Sequence, residues 1–252
     1  MRYFIQLSYN GTPYHGWQIQ PNALSVQEVL NKALSTILNQ KIETMGAGRT
    51  DTGVHAAEMF AHFDCNEINS TSKLVHKLNN YLPKSIAVQE IFLVDDNNHA
   101  RFDAKKRTYQ YHININKNVF LENLSWYFNQ KLDVDNMNVA AQLLIKYNDF
   151  ECFSKVHTDV NNFNCTIFEA FWKEQQQQLI FTITADRFLR NMVRAIVGTL
   201  IEVGLGKLSI QDFTQIIESK NRSNAGASVP AHGLYLTKIE YEETIFKDIS
   251  EI

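Results

Sequence analysis

The stretch GAGRTDTGVHA, residues 46–56, sets an arginine and an aspartate among three glycines. Such a run suits neither a regular helix nor a strand, so it reads as a loop, and Asp51 and Arg49 are its groups with chemistry to offer. A carboxylate can attack as a nucleophile or remove a proton as a general base. An arginine keeps its charge and can grip a phosphate or fill the space left by a displaced group. Gly46, Gly48 and Gly53 remove side chains around Asp51, permit positive φ and let a sugar and its phosphate approach the backbone. Asp also occurs in turns for a local reason, capping nearby N–H groups. A functional role for Asp51 has to outweigh that one.

Two further stretches carry groups suited to the same substrate. In DRFLRNMVRAIVGTLIEVGLG, residues 186–206, Phe188, Leu189, Met192, Val193, Ile196, Val197, Leu200 and Ile201 predict the buried face of a helix over about 187–202. Arg187, Arg190, Asn191 and Arg194 follow i, i+3, i+4, i+7 spacing along its polar line, and Gly198 continues that line where another backbone can come close. The arginines fit either a solvated face or a phosphate-binding surface with one guanidinium turned inward to hold a buried carboxylate ionised. In HARFDAKKRTYQYHININK, residues 99–117, Arg101, Lys105, Lys106, Arg107 and Lys117 stand against Asp103 alone. A ring such as Tyr109 beside that charge suits stacking on an extruded base. Tyrosines sharing one strand face, here Tyr109 and Tyr111 with Ile113 and Ile115, are also ordinary core. His55, His62, His76 and His112 stand singly, so no metal site is expected.

The elements that must position these groups follow from periodicity. Tyr3, Ile5, Leu7 and Tyr9 alternate on a strand that turns at Asn10-Gly11. Ser25 with Glu28 reads as a capping box before the apolar stripe Val26, Val29, Leu30, Ala33, Leu34, Ile37 and Leu38. A short strand around 42–45 leads into the aspartate loop, and alternation from Ala57 to Phe63 leads out. A helix near 72–82, strands at 85–94 and 107–115 and a helix over 135–147 complete the first run. Strands near 166–172 and 179–185, separated by KEQQQQ, a helix near 209–218 and a strand at 233–241 complete the second. Hairpins and helices in both parts predict an α+β fold with a largely antiparallel mixed sheet flanked by helices. Two similar halves, 1–105 with the aspartate loop and 106–252 with the tyrosine and the arginine helix, are expected to share that sheet as one catalytic unit.

The chain has 252 residues, 44% of them hydrophobic, enough for a substantial core. Cys65, Cys152 and Cys165 suggest neither a disulfide framework nor a thiolate zinc site. With no signal-peptide pattern and no membrane-length apolar run, a cytoplasmic protein is expected. A net charge of −3 excludes nucleic-acid binding by overall charge. The basic run at 99–117 and the acidic EYEETIFKDISEI at 240–252 segregate the charge along the sequence, which leaves room for a basic face.

Taken together, GRTDTGVHA, ARFDAKKRTYQYHI, FLRNMVRAIVGTL and PAHGLYL, with YNGTPYHGWQIQP, SVQEVL and DFECFSK, occur in the order seen in the TruA family of tRNA pseudouridine synthases, and the chain resembles that family over nearly its whole length. The resemblance implies the pseudouridine synthase fold and isomerisation of uridine to pseudouridine in the tRNA anticodon stem-loop, at positions 38, 39 and 40, without cofactor or metal. It implies a homodimer with tRNA spanning both subunits. It matches Asp51 to the essential aspartate, Tyr109 to the tyrosine stacking on the target uracil, and Arg194 to the cation paired with the aspartate. Arg49 matches an arginine that moves the target nucleotide out of the stack, and Leu234 lies in the motif packed near the uracil. Lys105, Lys106, Arg107, Arg187 and Arg190 are the expected tRNA-binding cations.

Whether the aspartate attacks C1′ or removes a C2′ proton stays open. Two other readings compete. Asp51-Thr52-Gly53 spells the aspartic-protease triplet, but such proteases need two copies after apolar strands and the chain holds one. A catalytically silent tRNA-binding module would keep the basic surface, yet this chain retains the aspartate, the tyrosine and the arginine.

Overall fold

The computed structural model describes residues 1–156, 162–175 and 177–246. Lys247, Asp248 and Glu251 of the acidic C-terminal stretch, and Gln176 of the glutamine run, lie outside the described residues. In chain order the elements are β1 (Arg2–Tyr9), α1 (Val26–Leu38), β2 (Met45–Gly46), β3 (His55–Asp64), α2 (Thr71–Tyr81), β4 (Ile86–Val94), β5 (Lys106–Asn114), β6 (Trp126–Tyr127), α3 (Val134–Leu143), β7 (Ile167–Gln175), β8 (Gln178–Ala185), α4 (Met192–Gly204), α5 (Ile210–Ser219) and β9 (Leu234–Glu240). The fold is α+β, as the mixed periodicities predict. β1 pairs antiparallel with β3 and β4, as do β2 with β3 and β8 with β5 and β7, whereas β5 with β6 is parallel. Among the described residues no helix is long and apolar enough to cross a membrane.

The chain divides into two compact units, Met1–Lys106 with the chain from Leu236 on, and Arg107–Tyr235. In the first, the strand order is β4-β1-β3-β9, with β2 on β3. Register runs Tyr3 to Phe63 and Ile5 to Ala61 between β1 and β3, and Ile5 to Ile91 between β1 and β4. Ile5, Leu7, Met59 and Phe63 are buried, as are Val26, Leu30, Ala33 and Leu34 on the apolar stripe of α1, while Phe4, which alternates with Ile5 on β1, packs against Tyr241 and Phe246. Ser25 Oγ accepts from Glu28 N, one half of the capping box that the sequence predicts there.

In the second unit, β5 pairs with β8, and β8 with β7. The hairpin between β7 and β8 is tighter than the sequence suggests: the glutamines continue both strands, out to Gln175 and from Gln178. α4 is buried around most of its circumference, the pattern of a core helix. α3 anchors to β7 through Asn138, which accepts from Trp172 N at 2.7 Å and donates to its carbonyl at 3.2 Å.

The helix expected over 187–202 begins five residues later, at Met192. Asn191 takes φ 67°, the left-handed region, and a helix cannot run through it. Arg187 and Arg190 therefore belong to the lead-in, and only Arg194 stands on the helix. The four-residue polar line is not one helical stripe.

Candidate active site

In the first unit the aspartate loop is held from beneath by the segment that follows β1. Gly11 N donates to Nδ1 of buried His55 at 3.0 Å, Trp17 N donates to the Thr50 carbonyl at 3.3 Å, and Gly53 N to the Tyr14 carbonyl at 3.2 Å. Tyr9 and Thr50 exchange a buried hydroxyl hydrogen bond of 2.9 Å. The two backbones lie so close that a Cβ at Gly11 would stand 2.0 Å from the Val54 carbonyl oxygen, and one at Gly16 2.3 Å from that of Thr50. These residues, quoted in the sequence only as a motif, are the loop's scaffold. Their signal is the pair of glycines ahead of Trp17, Gly11 and Gly16, which periodicity does not register.

Asp51 itself is half-buried at the first position of a turn closed by Val54 N to the Asp51 carbonyl at 3.1 Å. Gly53 occupies the third position at φ 77°, as a type II turn requires. The turn is thus closed through the main chain, and its closure does not need a carboxylate. Neither of the other two glycines takes positive φ. A Cβ on Gly46 would strike the Trp17 indole at 2.4 Å, so that glycine serves packing, whereas one on Gly48 would meet nothing within 4 Å. Arg49 is exposed beside it.

In the second unit, Tyr109 on β5 is half-buried opposite Ile183, and its ring meets Phe188 edge-on at 5.1 Å. Tyr111, two residues on, is core: fully buried, it donates its hydroxyl to the Pro230 carbonyl at 2.8 Å, and burial pushes that hydroxyl's pKa far up. The segment 225–230 lies along α4. Gly198 admits it, since a Cβ there would stand 1.8 Å from the Ala227 oxygen; the close backbone approach expected at this glycine is present. Arg194, half-buried, donates Nε to the Val229 carbonyl at 2.7 Å.

Arg222, which the sequence reading passed over, anchors the same segment. It donates to the carbonyls of Ala225 at 3.2 Å and Gly226 at 3.1 Å and to Ser228 Oγ at 3.0 Å. Asn191 Nδ2 reaches the same Oγ at 2.6 Å. Leu234 is buried at the start of β9, and burial together with the Arg194 cation lowers the pKa of neighbouring His232.

The basic residues are partly committed. Lys105 bridges Glu242 at 2.8 Å, so the basic run and the acidic stretch meet at this pair. Arg107 donates to the Asp186 carbonyl at 2.7 Å. Lys106 is half-buried, while Arg187 and Arg190 are exposed. Among the described residues no group of three His, Cys, Asp or Glu side chains could hold a metal ion.

A carboxylate on a braced turn suits covalent attack or proton removal, and exposed arginines with a half-buried tyrosine suit a phosphate-bearing, ring-bearing partner; the class is that of an enzyme modifying a nucleic acid. A family model described as tRNA pseudouridine synthase matches residues 6–103 and 140–242. Proteins named tRNA pseudouridine synthase A are similar over nearly the full length: that of Porphyromonas gingivalis is 53% identical over 249 residues, covering 97% of this chain and 99% of its own. That of Bacteroides fragilis is 52% identical over 248 residues, 98% of each, and that of Dictyoglomus thermophilum 40% over 241 residues, 94% of this chain and 98% of its own. The chain belongs to the tRNA pseudouridine synthase family.

Proposed function

We propose that this protein isomerises uridine to pseudouridine in the anticodon stem-loop of tRNA, at positions 38 to 40, with Asp51 as nucleophile or general base. The observation that carries the reading is the turn at Asp51: it is closed by main-chain atoms, and its neighbours Thr50 and Gly53 are braced by Tyr9, Tyr14 and Trp17, so the carboxylate is carried on a fixed backbone. Family membership supplies the reaction.

The chemistry balances without an outside reagent. The N1–C1′ bond breaks, a C5–C1′ bond forms, the C5 proton leaves and N1 gains one, with no net oxidation or reduction. No cofactor or metal is required in this scheme. Asp51 either attacks C1′ or takes a C2′ proton, and both need the carboxylate ionised; Arg194 is assigned as its ion-pair partner. Tyr109 stacks on the uracil, which must turn over while detached, and a ring face tolerates that rotation better than fixed hydrogen bonds. Leu234 lends an apolar wall. Arg49 assists extrusion of the nucleotide, which costs a few kcal/mol, and Lys105, Lys106, Arg107, Arg187 and Arg190 meet phosphates. The protein acts in the cytoplasm as a homodimer whose two subunits together bind one tRNA, since a net charge of −3 leaves a single chain little positive potential.

The test is incubation of purified protein with unmodified tRNA carrying tritium at uridine C5, without added metal. Tritium release with pseudouridine mapped to positions 38 to 40 is expected. No release at stoichiometric enzyme would overturn the assignment, and an active monomer in sedimentation would overturn the dimer.

A further inference from the structure

The loop after β4 holds an aromatic ring in solvent with unusual firmness. Asp103 Oδ2 accepts from His99 N at 2.8 Å, and Asp103 N donates to the His99 carbonyl at 3.0 Å. Fully buried Ala100 donates its N–H to His62 Nδ1 at 3.1 Å and accepts from the Tyr241 hydroxyl. Out of this anchored loop rises Phe102, 74% exposed. The His99 ring lies 4.2 Å from it, tilted by 33°, and the Arg101 guanidinium carbon lies 5.7 Å from its centroid. His99 in turn meets His62 edge-on at 4.5 Å.

An exposed phenyl ring gains nothing from burial, and a single ring is too small for a protein interface of ordinary area. A ring with a neighbouring cation, on a loop that loses little entropy when it engages, matches instead the devices by which proteins hold unpaired bases. Burial and the Arg2 cation lower the pKa of His99, which keeps that ring neutral as a stacking partner at neutral pH. Lys105 is engaged with Glu242, so Arg101 supplies the cation at this ring.

We propose that Phe102, backed by His99 and flanked by Arg101, is a stacking platform for an unpaired nucleobase of the tRNA substrate, distinct from the target uridine. Its distance from the reaction follows from β3, which starts at His55 just after the aspartate turn. His62 lies seven residues along that strand, roughly 20 Å away at about 3.3 Å per residue. The platform therefore contributes binding energy from a part of the substrate that does not react.

This inference rests on the tRNA reading above, and wild-type pseudouridine formation checks that reading separately. The test titrates unmodified tRNA against wild type, Phe102→Ala, Phe102→Leu, Phe102→Tyr and Arg101→Gln at several salt concentrations. Phe102→Ala is expected to weaken binding on the order of tenfold or more with the salt slope unchanged. Phe102→Leu should fall nearly as far, and Phe102→Tyr should restore affinity. Arg101→Gln should flatten the slope by about one unit. Wild-type affinity in Phe102→Ala or Phe102→Leu, from proteins with unchanged melting temperature, would overturn the platform. So would a change of sedimentation in Phe102→Ala, which would give the ring to a second copy of the chain.

Discussion

Arg194 and Val229 hold each other at two points: Val229 N donates to the Arg194 carbonyl at 3.2 Å, and Arg194 Nε donates to the Val229 carbonyl at 2.7 Å. A long, flexible side chain is thereby fixed in direction, with one donor committed to a backbone that the helix itself positions. The guanidinium's remaining N–H groups are aimed by that commitment. Orientation of this kind is worth much to a reaction, because small displacements of a working group cost rate steeply.

Arg222 should act on turnover through this clamp. Its three hydrogen bonds hold residues 225–228, and Val229 follows. Arg222→Gln is expected to lower kcat between about tenfold and a hundredfold while KM for tRNA stays within about twofold. Ser228→Ala should do the same more mildly. Steady-state kinetics alongside melting curves decide it: unchanged kcat in folded Arg222→Gln would mean that Arg194 does not depend on the segment.

Gly198→Ala should fail for a related reason. Alanine favours helix over glycine by about 1 kcal/mol, yet the added methyl carbon would stand 1.8 Å from the Ala227 oxygen. The methyl carbon is fixed by the helix backbone and the oxygen is itself backbone, so neither can turn away. Destabilisation of about 2–3 kcal/mol is expected by denaturant titration, with loss of turnover as Val229 is pushed off Arg194. A more stable Gly198→Ala protein would contradict the contact.

How much of this was legible beforehand depends on the range of the interaction responsible. The α1 stripe and its Ser25 cap are local, and they read correctly from spacing alone. The start of α4 did not, because Arg187 and Arg190 fit a helical period and only Asn191's left-handed backbone interrupts it. β6, two residues long, has no periodicity to read. Asp51 and Tyr109 stood out by composition and resemblance. Their supports did not: Gly11 with Val54, Gly16 with Thr50 and Arg222 with Ser228 are fitted by close approach and chain direction, which leave no repeating trace. Lys105 and Glu242 likewise lie far apart in sequence and touch in the fold.

His62 should make stability fall in mild acid. Burial first, then His99 and Arg2, lower its pKa from 6.5 to about 4, and its Nδ1 must stay unprotonated to accept from Ala100 N. The folded state therefore prefers the neutral ring. Stability is fully present above pH 6.5 and is lost as pH falls from there toward 4. His62→Gln keeps an acceptor that does not titrate and should flatten this part of the melting profile. Parallel wild-type and variant profiles would show that another group carries the acid sensitivity.

Tyr109 separates ring from hydroxyl. Tyr109→Phe keeps the edge-on contact with Phe188 and any stack on a base, so tRNA binding should hold while turnover falls; Tyr109→Ala should lose more of both. Wild-type rates in the two variants would make Tyr109 a packing residue.

Asp51→Asn and Thr50→Val should have opposite effects, although the residues are adjacent. Thr50 Oγ1 is a buried partner of Tyr9, so valine there removes a brace and one hydrogen bond of that hydroxyl, costing about 1 kcal/mol of stability while some turnover remains. Asparagine at position 51 matches aspartate in size, and the turn is closed by the main-chain carbonyl, which the substitution leaves alone. Folding and tRNA affinity should therefore persist, since phosphate contacts lie on other residues. Pseudouridine formation should vanish, because an amide neither attacks C1′ effectively nor accepts a C2′ proton at neutral pH. Melting temperature, tRNA affinity and tritium release, measured on both variants, separate the two roles. Substantial turnover by folded Asp51→Asn would remove the carboxylate from the mechanism, and unfolding of that variant would return Asp51 to the ranks of turn residues.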